Sequence, residues 1–241
     1  MSMLVIEWRK EKRTGLALVL WAIGFLGAAY AYISFAVRKE TLLNLPLAPM
    51  DILLTQLYGM MLILNMFGIV VAACISYHTE FRGGAVKKMY LLPFSVSGMY
   101  LCKFMILSVL FLAAVALQNL ALAHIGMTGL PEGSFESKTL ICFAFYSFIT
   151  AMPVLSFLLM AASRCENLWI PLGLGVAGFL SGMALVNSQH TLVLVHPFVV
   201  MLKPAAAMTA QPEQPVLWAS LSETVLFLGL GLGMAKFLRY E

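Results

Sequence analysis

The run Leu53–Tyr77, LLTQLYGMMLILNMFGIVVAACISY, holds twenty-five residues without one charge. As a helix rising 1.5 Å per residue it measures about 37 Å, enough to cross the ~30 Å hydrocarbon core of a bilayer. Comparable runs lie near 15–36, 100–124, 139–163, 168–187 and 216–237. The whole chain is 61% hydrophobic and 11% charged, against about 25% charged in soluble domains. A membrane barrel would need short alternating segments, and these runs are long and unbroken. The sequence therefore predicts an all-α polytopic membrane protein, with six transmembrane helices in a single domain over 1–241. The connections between spans leave no room for a soluble domain of ordinary size.

Orientation follows from Lys and Arg. Six spans put both termini on one side, together with Arg9, Lys10, Lys12, Arg13, Arg82, Lys87, Lys88, Lys103, Arg164, Lys236 and Arg239. The other side holds Arg38, Lys39, Lys138 and Lys203. Eleven against four predicts cytoplasmic termini. The net charge of +4 is then a topology signal, and no nucleic-acid partner is expected. The first residues, MSMLVIEWRKEKR, place Leu4, Val5 and Trp8 at helical spacing, which suits a short interfacial helix with Trp8 among the headgroups. A cleavable signal peptide ending near Ala29-Tyr30-Ala31 has a similar outline, but the apolar run is full span length and further spans follow.

Several motifs are excluded by context. Gly173 to Gly178 matches G-x-G-x-x-G inside an apolar span, with no strand before it. Small residues letting helices approach closely explain it, and also Gly178/Gly182 and Gly229/Gly233. No P-loop occurs, and His78, His124, His190 and His196 have no metal-ligand spacing. Neither a metal site nor catalytic residues are expected. Cys74, Cys102, Cys142 and Cys165 form no CxxC pair, so free thiols are expected.

The connection Tyr77–Ser95, YHTEFRGGAVKKMYLLPFS, is the polar exception. Gly83-Gly84 permits a sharp exit from the span, and Pro93 ends any helix over Gly84–Leu92. Val86, Met89, Tyr90 and Pro93 form an apolar stripe beside Lys87 and Lys88. Such a helix rests on lipid or plugs into a partner's groove; a basic loop that merely fixes topology is the plain alternative. The pattern Glu80-x3-Gly84-Ala85-x-Lys87-x5-Pro93-x-Ser95, followed by Lys103 at the next span, resembles the first cytoplasmic loop of ABC type-2 exporter permeases. The six-span plan and the interfacial helix match as well, and within that family the chain is most similar to permeases of lantibiotic-immunity transporters. The resemblance implies a bacterial plasma-membrane permease whose loop is a coupling helix seated in a separate ATPase. Glu80, Gly84, Val86, Lys87, Lys88, Met89, Tyr90 and Pro93 would carry that contact. It also implies two ATP-binding subunits holding ATP and Mg, a second permease half (identical or paralogous), and an amphiphilic antimicrobial peptide as cargo. The paired glycines depart from the family's single one and leave the start of the helix open.

Glu223 is the one acidic residue well inside a span, where burial is costly. Counting from the span ends puts Glu223, Gln118, Asn119 and Gln56 at similar depth in the outer half. That belt either pins helices together or lines a substrate pathway. The segment TLVLVHPFVVML is too short to span and is expected to be re-entrant or interfacial, and Pro153 is expected to kink the fourth span. Rival readings are a permease for a cation or lipid-linked cargo, the substrate-capturing component of an importer, or an intramembrane enzyme using Glu223 with His124.

Overall fold

The computed structural model describes residues 3–12, 14–81, 95–131, 133–188 and 190–237. These residues form helices and no strand: α1 (Met3–Glu11), α2 (Leu16–Leu43), α3 (Pro49–Phe81), α4 (Val96–Gly129), α5 (Ser137–Ala162), α6 (Trp169–Leu185), α7 (Pro197–Ala206) and α8 (Gln214–Phe237). Five of them, α2, α3, α4, α5 and α8, are long and apolar enough to cross a membrane. The sixth expected span corresponds to α6, which at 17 residues reaches about 25 Å. The expected coupling helix over Gly84–Leu92 lies outside the described residues.

Local chemistry sets the helix ends. Gly15, at φ 77°, takes a left-handed conformation open to glycine and turns α1 into α2. Pro49 opens α3 at a position where its missing N–H costs nothing. One π-turn, Ile52–Gln56, interrupts the first part of α3. Ser95 caps α4 by accepting the Gly98 N–H at 3.1 Å. Pro153 sits inside α5 without ending it.

Close packing relies on small residues. A side-chain carbon at Gly24 would lie 3.1 Å from Ala114 Cα, so α2 and α4 meet nearly backbone to backbone. Gly175 faces Val70 of α3, while Gly178 and Gly182 face Phe198 of α7. Two of the three fingerprint-like glycines, Gly175 and Gly178, are therefore helix-packing surfaces, while Gly173 faces open space. On α8, Gly229 and Gly233 meet nothing within this chain, and Gly231 between them lies against Tyr100. The face that packs was decided by α4, which sequence spacing does not reveal.

The segment after α6 folds back into the bundle. Gly178 meets the Phe198 ring, and Gly182 meets Phe198 Cβ and Leu202 Cδ1. The step from 178 to 182 thus matches the step from 198 to 202, so α6 and α7 run in the same direction. Two consecutive helices can do so only if the connection 186–196 returns along the bundle. It does so through a 3-10 turn, Thr191–Val195, with Leu192 83% exposed. Pro197 to Leu202 are then all buried. The short apolar segment is a re-entrant hairpin.

The core has two regions. One, toward α1, contains Leu16, Leu20, Tyr77, Tyr100 and Leu159. The other, at the opposite end, contains Leu42, Leu53, Ile125 and Leu140. Leu18, Phe25, Ile33, Val109 and Val225 remain exposed around the circumference, as lipid-facing side chains would. All four cysteines are free. Trp8, expected among headgroups, is half-buried against the bundle core, with the Lys12 ammonium 5.9 Å from its ring.

Candidate functional site

Lys103 lies in the second turn of α4 and is 1% exposed. An ammonium taken out of water needs charged partners and hydrogen-bond acceptors. It finds Glu11 Oε1 at 2.9 Å, Glu80 Oε1 at 3.0 Å and Glu7 Oε2 at 3.2 Å. It also donates to the Ser76 carbonyl at 3.1 Å. The Ser76 hydroxyl donates to Glu11 Oε1 at 3.1 Å, and Thr14 donates to Glu11 Oε2 at 3.1 Å. Half-exposed Lys10 bridges Glu7 Oε1 at 2.8 Å and Glu80 Oε1 at 2.7 Å. Three buried carboxylates thus share two ammoniums.

This cluster joins three elements. Glu7, Lys10 and Glu11 come from α1, Ser76 and Glu80 from the last turns of α3, and Lys103 from the start of α4. The connection 82–94 leaves α3 just after Glu80 and re-enters before Lys103. Both of its roots are held by one ion cluster. Glu80, expected on the docking surface, points inward and is 3% exposed. Gly84, Val86, Lys87, Lys88, Met89, Tyr90 and Pro93 lie outside the described residues. Sequence reasoning missed Glu7 and Glu11 as partners of Lys103. The available signal was their i, i+4 spacing on α1 together with a lysine inside an apolar span.

The four residues of the expected polar belt are not gathered. Gln118 of α4 pairs with Asn65 of α3 through two reciprocal hydrogen bonds between their side-chain amides, 2.9 and 2.8 Å, and donates to Ile23 O of α2 at 3.3 Å. Asn119 turns its amide back to Val115 O of its own helix at 2.8 Å. Gln56 sits in the π-turn, partly exposed. Glu223 is buried with both carboxylate oxygens unpartnered among the described residues. Ring contacts place it in depth: Phe227 meets Phe157, and Phe111 meets Phe148. One turn from Phe227, Glu223 is therefore level with Pro153 and Ser108, roughly 15 Å along α4 from Gln118. The expectation assumed that all spans end in one plane. Instead α4 runs on to Gly129 while α8 begins, at Gln214, about level with Gln118, so depths counted from the two helix ends do not correspond.

A sequence model described as "ABC-2 family transporter protein" matches residues 3–182, about three quarters of the chain. The chain belongs to the ABC-2 family of transporter proteins. No curated protein and no solved structure matches it.

As an ABC-2 member the chain is a multi-pass membrane permease of an ABC transporter, a class that works with ATP-binding subunits. The matched region runs from α1 into α6. It includes the ion cluster and the connection 82–94, and stops before the re-entrant hairpin and α8. At the end of the permease opposite α1, an open depression of about 260 Å³ is lined by Glu136, Lys138, Thr139, Cys142 and Gln211. There Asp51 Oδ1 accepts the Ala210 N–H at 2.7 Å and holds the segment leading to α8.

Proposed function

We propose that this permease expels an amphiphilic antimicrobial peptide of the lantibiotic class from the bacterial plasma membrane, powered by a separate ATPase that grips the connection 82–94. The observation that carries the reading is the ion cluster at Lys103, which holds both roots of that connection to α1. A lever transmits force only if its mount is stiff, and a buried network with four charge contacts shorter than 3.1 Å is such a mount. Val86, Met89 and Tyr90 would fill a cleft on the ATPase, with Lys87 and Lys88 at its acidic rim. Two ATPase copies, each binding ATP and Mg, and a second permease half complete the assembly. The α1 end faces the cytoplasm, as the Lys and Arg bias indicates. For motion to follow, the connection must bind the two nucleotide states of the ATPase unequally.

Disulfide or lysine crosslinks from Met89→Cys or Lys87 to the co-expressed ATPase test the docking. A failure to reach the ATPase, or full cellular resistance after deletion of 84–92, would overturn it. Cargo is tested separately by the inhibitory concentration of a cationic lantibiotic for cells with and without the transporter. Glu223→Gln is expected to lower that resistance while the complex still assembles on gel filtration. Unchanged resistance would remove Glu223 from the pathway and leave a structural role.

A further inference from the structure

The N-terminal helix is charge-segregated in a way the sequence order conceals. Glu7 and Glu11 are turned into the protein, 3% exposed each, and neutralised by Lys103 and Lys10. Leu4, Val5, Arg9 and Lys12 are all exposed, and at 3.6 residues per turn they fall within about 140° of arc. No described carboxylate pairs with Arg9 or Lys12. The outward face therefore presents two cations and two apolar side chains, at 44% exposure for Leu4 and 38% for Val5, with no acid between them.

Position narrows the occupant. Only Lys12 to Gly15 separate α1 from α2, a reach of at most ~18 Å over the five steps from Glu11 to Leu16, and α2 is a candidate span. The outward face of α1 therefore lies near the level at which α2 enters the bilayer. Mixed apolar and cationic character at that level fits a negatively charged lipid surface, where each Lys or Arg adds to the attraction and aliphatic side chains insert among acyl chains. We propose that Leu4, Val5, Arg9 and Lys12 form a binding face for anionic phospholipid headgroups. Through the Lys103 cluster this face ties the leaflet to both roots of the connection 82–94. The inference does not depend on the cargo or on the ATPase.

The test is amide hydrogen exchange over residues 3–11 of the full chain in nanodiscs, comparing phosphatidylcholine alone with a mixture containing phosphatidylglycerol. Exchange is expected to slow in the anionic lipid, and the slowing to fade at high salt. In Arg9→Gln/Lys12→Gln it should vanish, since each lost charge weakens docking about fivefold, or ~thirtyfold for the pair. Both residues are exposed, so exchange of the variant in phosphatidylcholine should match the parent and report an intact fold. Equal exchange in the two lipids, including the case in which only added ATPase slows it, overturns the proposal. So does a lipid-dependent slowing that survives in the double variant.

Discussion

Lys103 stands at the centre of a buried ion network. Replacing it with Met leaves Glu7, Glu11 and Glu80 buried around Lys10 alone, and removing one partner of a buried ion network costs about 3–5 kcal/mol. Purified Lys103→Met is therefore expected to melt well below the parent in detergent, while Lys103→Arg keeps part of the loss. A melting point unchanged in Lys103→Met would show that the cluster contributes nothing to stability. Glycines of α8 make a paired comparison at the same scale. Gly229→Ala meets open space and gains up to ~1 kcal/mol of helix propensity. Gly231→Ala drives a methyl group into Tyr100, which is 1% exposed, and overpacking of this kind costs about 1–3 kcal/mol. Opposite shifts in thermal midpoint, two residues apart, are the expected outcome.

Among the elements, the re-entrant α7 decides how the far half of the bundle is filled. Its N-terminal residues are wedged between α6, α5 and α8, with Phe198 edge-on to Phe157 and seated on Gly178 and Gly182. Phe198→Ala should cost about 3–5 kcal/mol through lost burial and the cavity left behind. Limited proteolysis near the 3-10 turn Thr191–Val195 would report the loosened hairpin. Cleavage no faster than in the parent would mean that α7 is held by other contacts. By contrast, α2, α3 and α4 are stitched by the Asn65–Gln118 pair. A side-chain carbon at Gly27 would come within 2.5 Å of Gln118 Nε2, so this helix contact leaves no room for a methyl group while the pair is intact.

For the whole molecule the arrangement makes a statement about sidedness. Cys142, early in α5, lines the depression at the far end, and Cys165 lies just beyond the other end of α5. If α1 faces the cytoplasm, a membrane-impermeant maleimide labels Cys142 in intact cells, and Cys165 only after permeabilisation. The reverse pattern would invert the orientation and with it the proposed direction of export.

How much of this was legible beforehand depends on the distance over which each feature is decided. Long uncharged runs such as Leu53–Tyr77 determined the helical membrane class by themselves, because an unpaired backbone in lipid has few solutions and helix is the local one. The short length of TLVLVHPFVVML likewise excluded a span before any contact was known. Residue pairing was another matter. That Glu80 turns inward to Lys103, that Gln118 finds Asn65 and not Asn119 or Glu223, and that Gly231 packs while Gly229 does not are all consequences of helix rotation and offset. Those quantities are set by how neighbouring helices fit against each other, where a shift of one residue rotates a side chain by about 100°. Sequence fixes the periodicity of each helix; only the packed bundle selects which face of that period meets a partner.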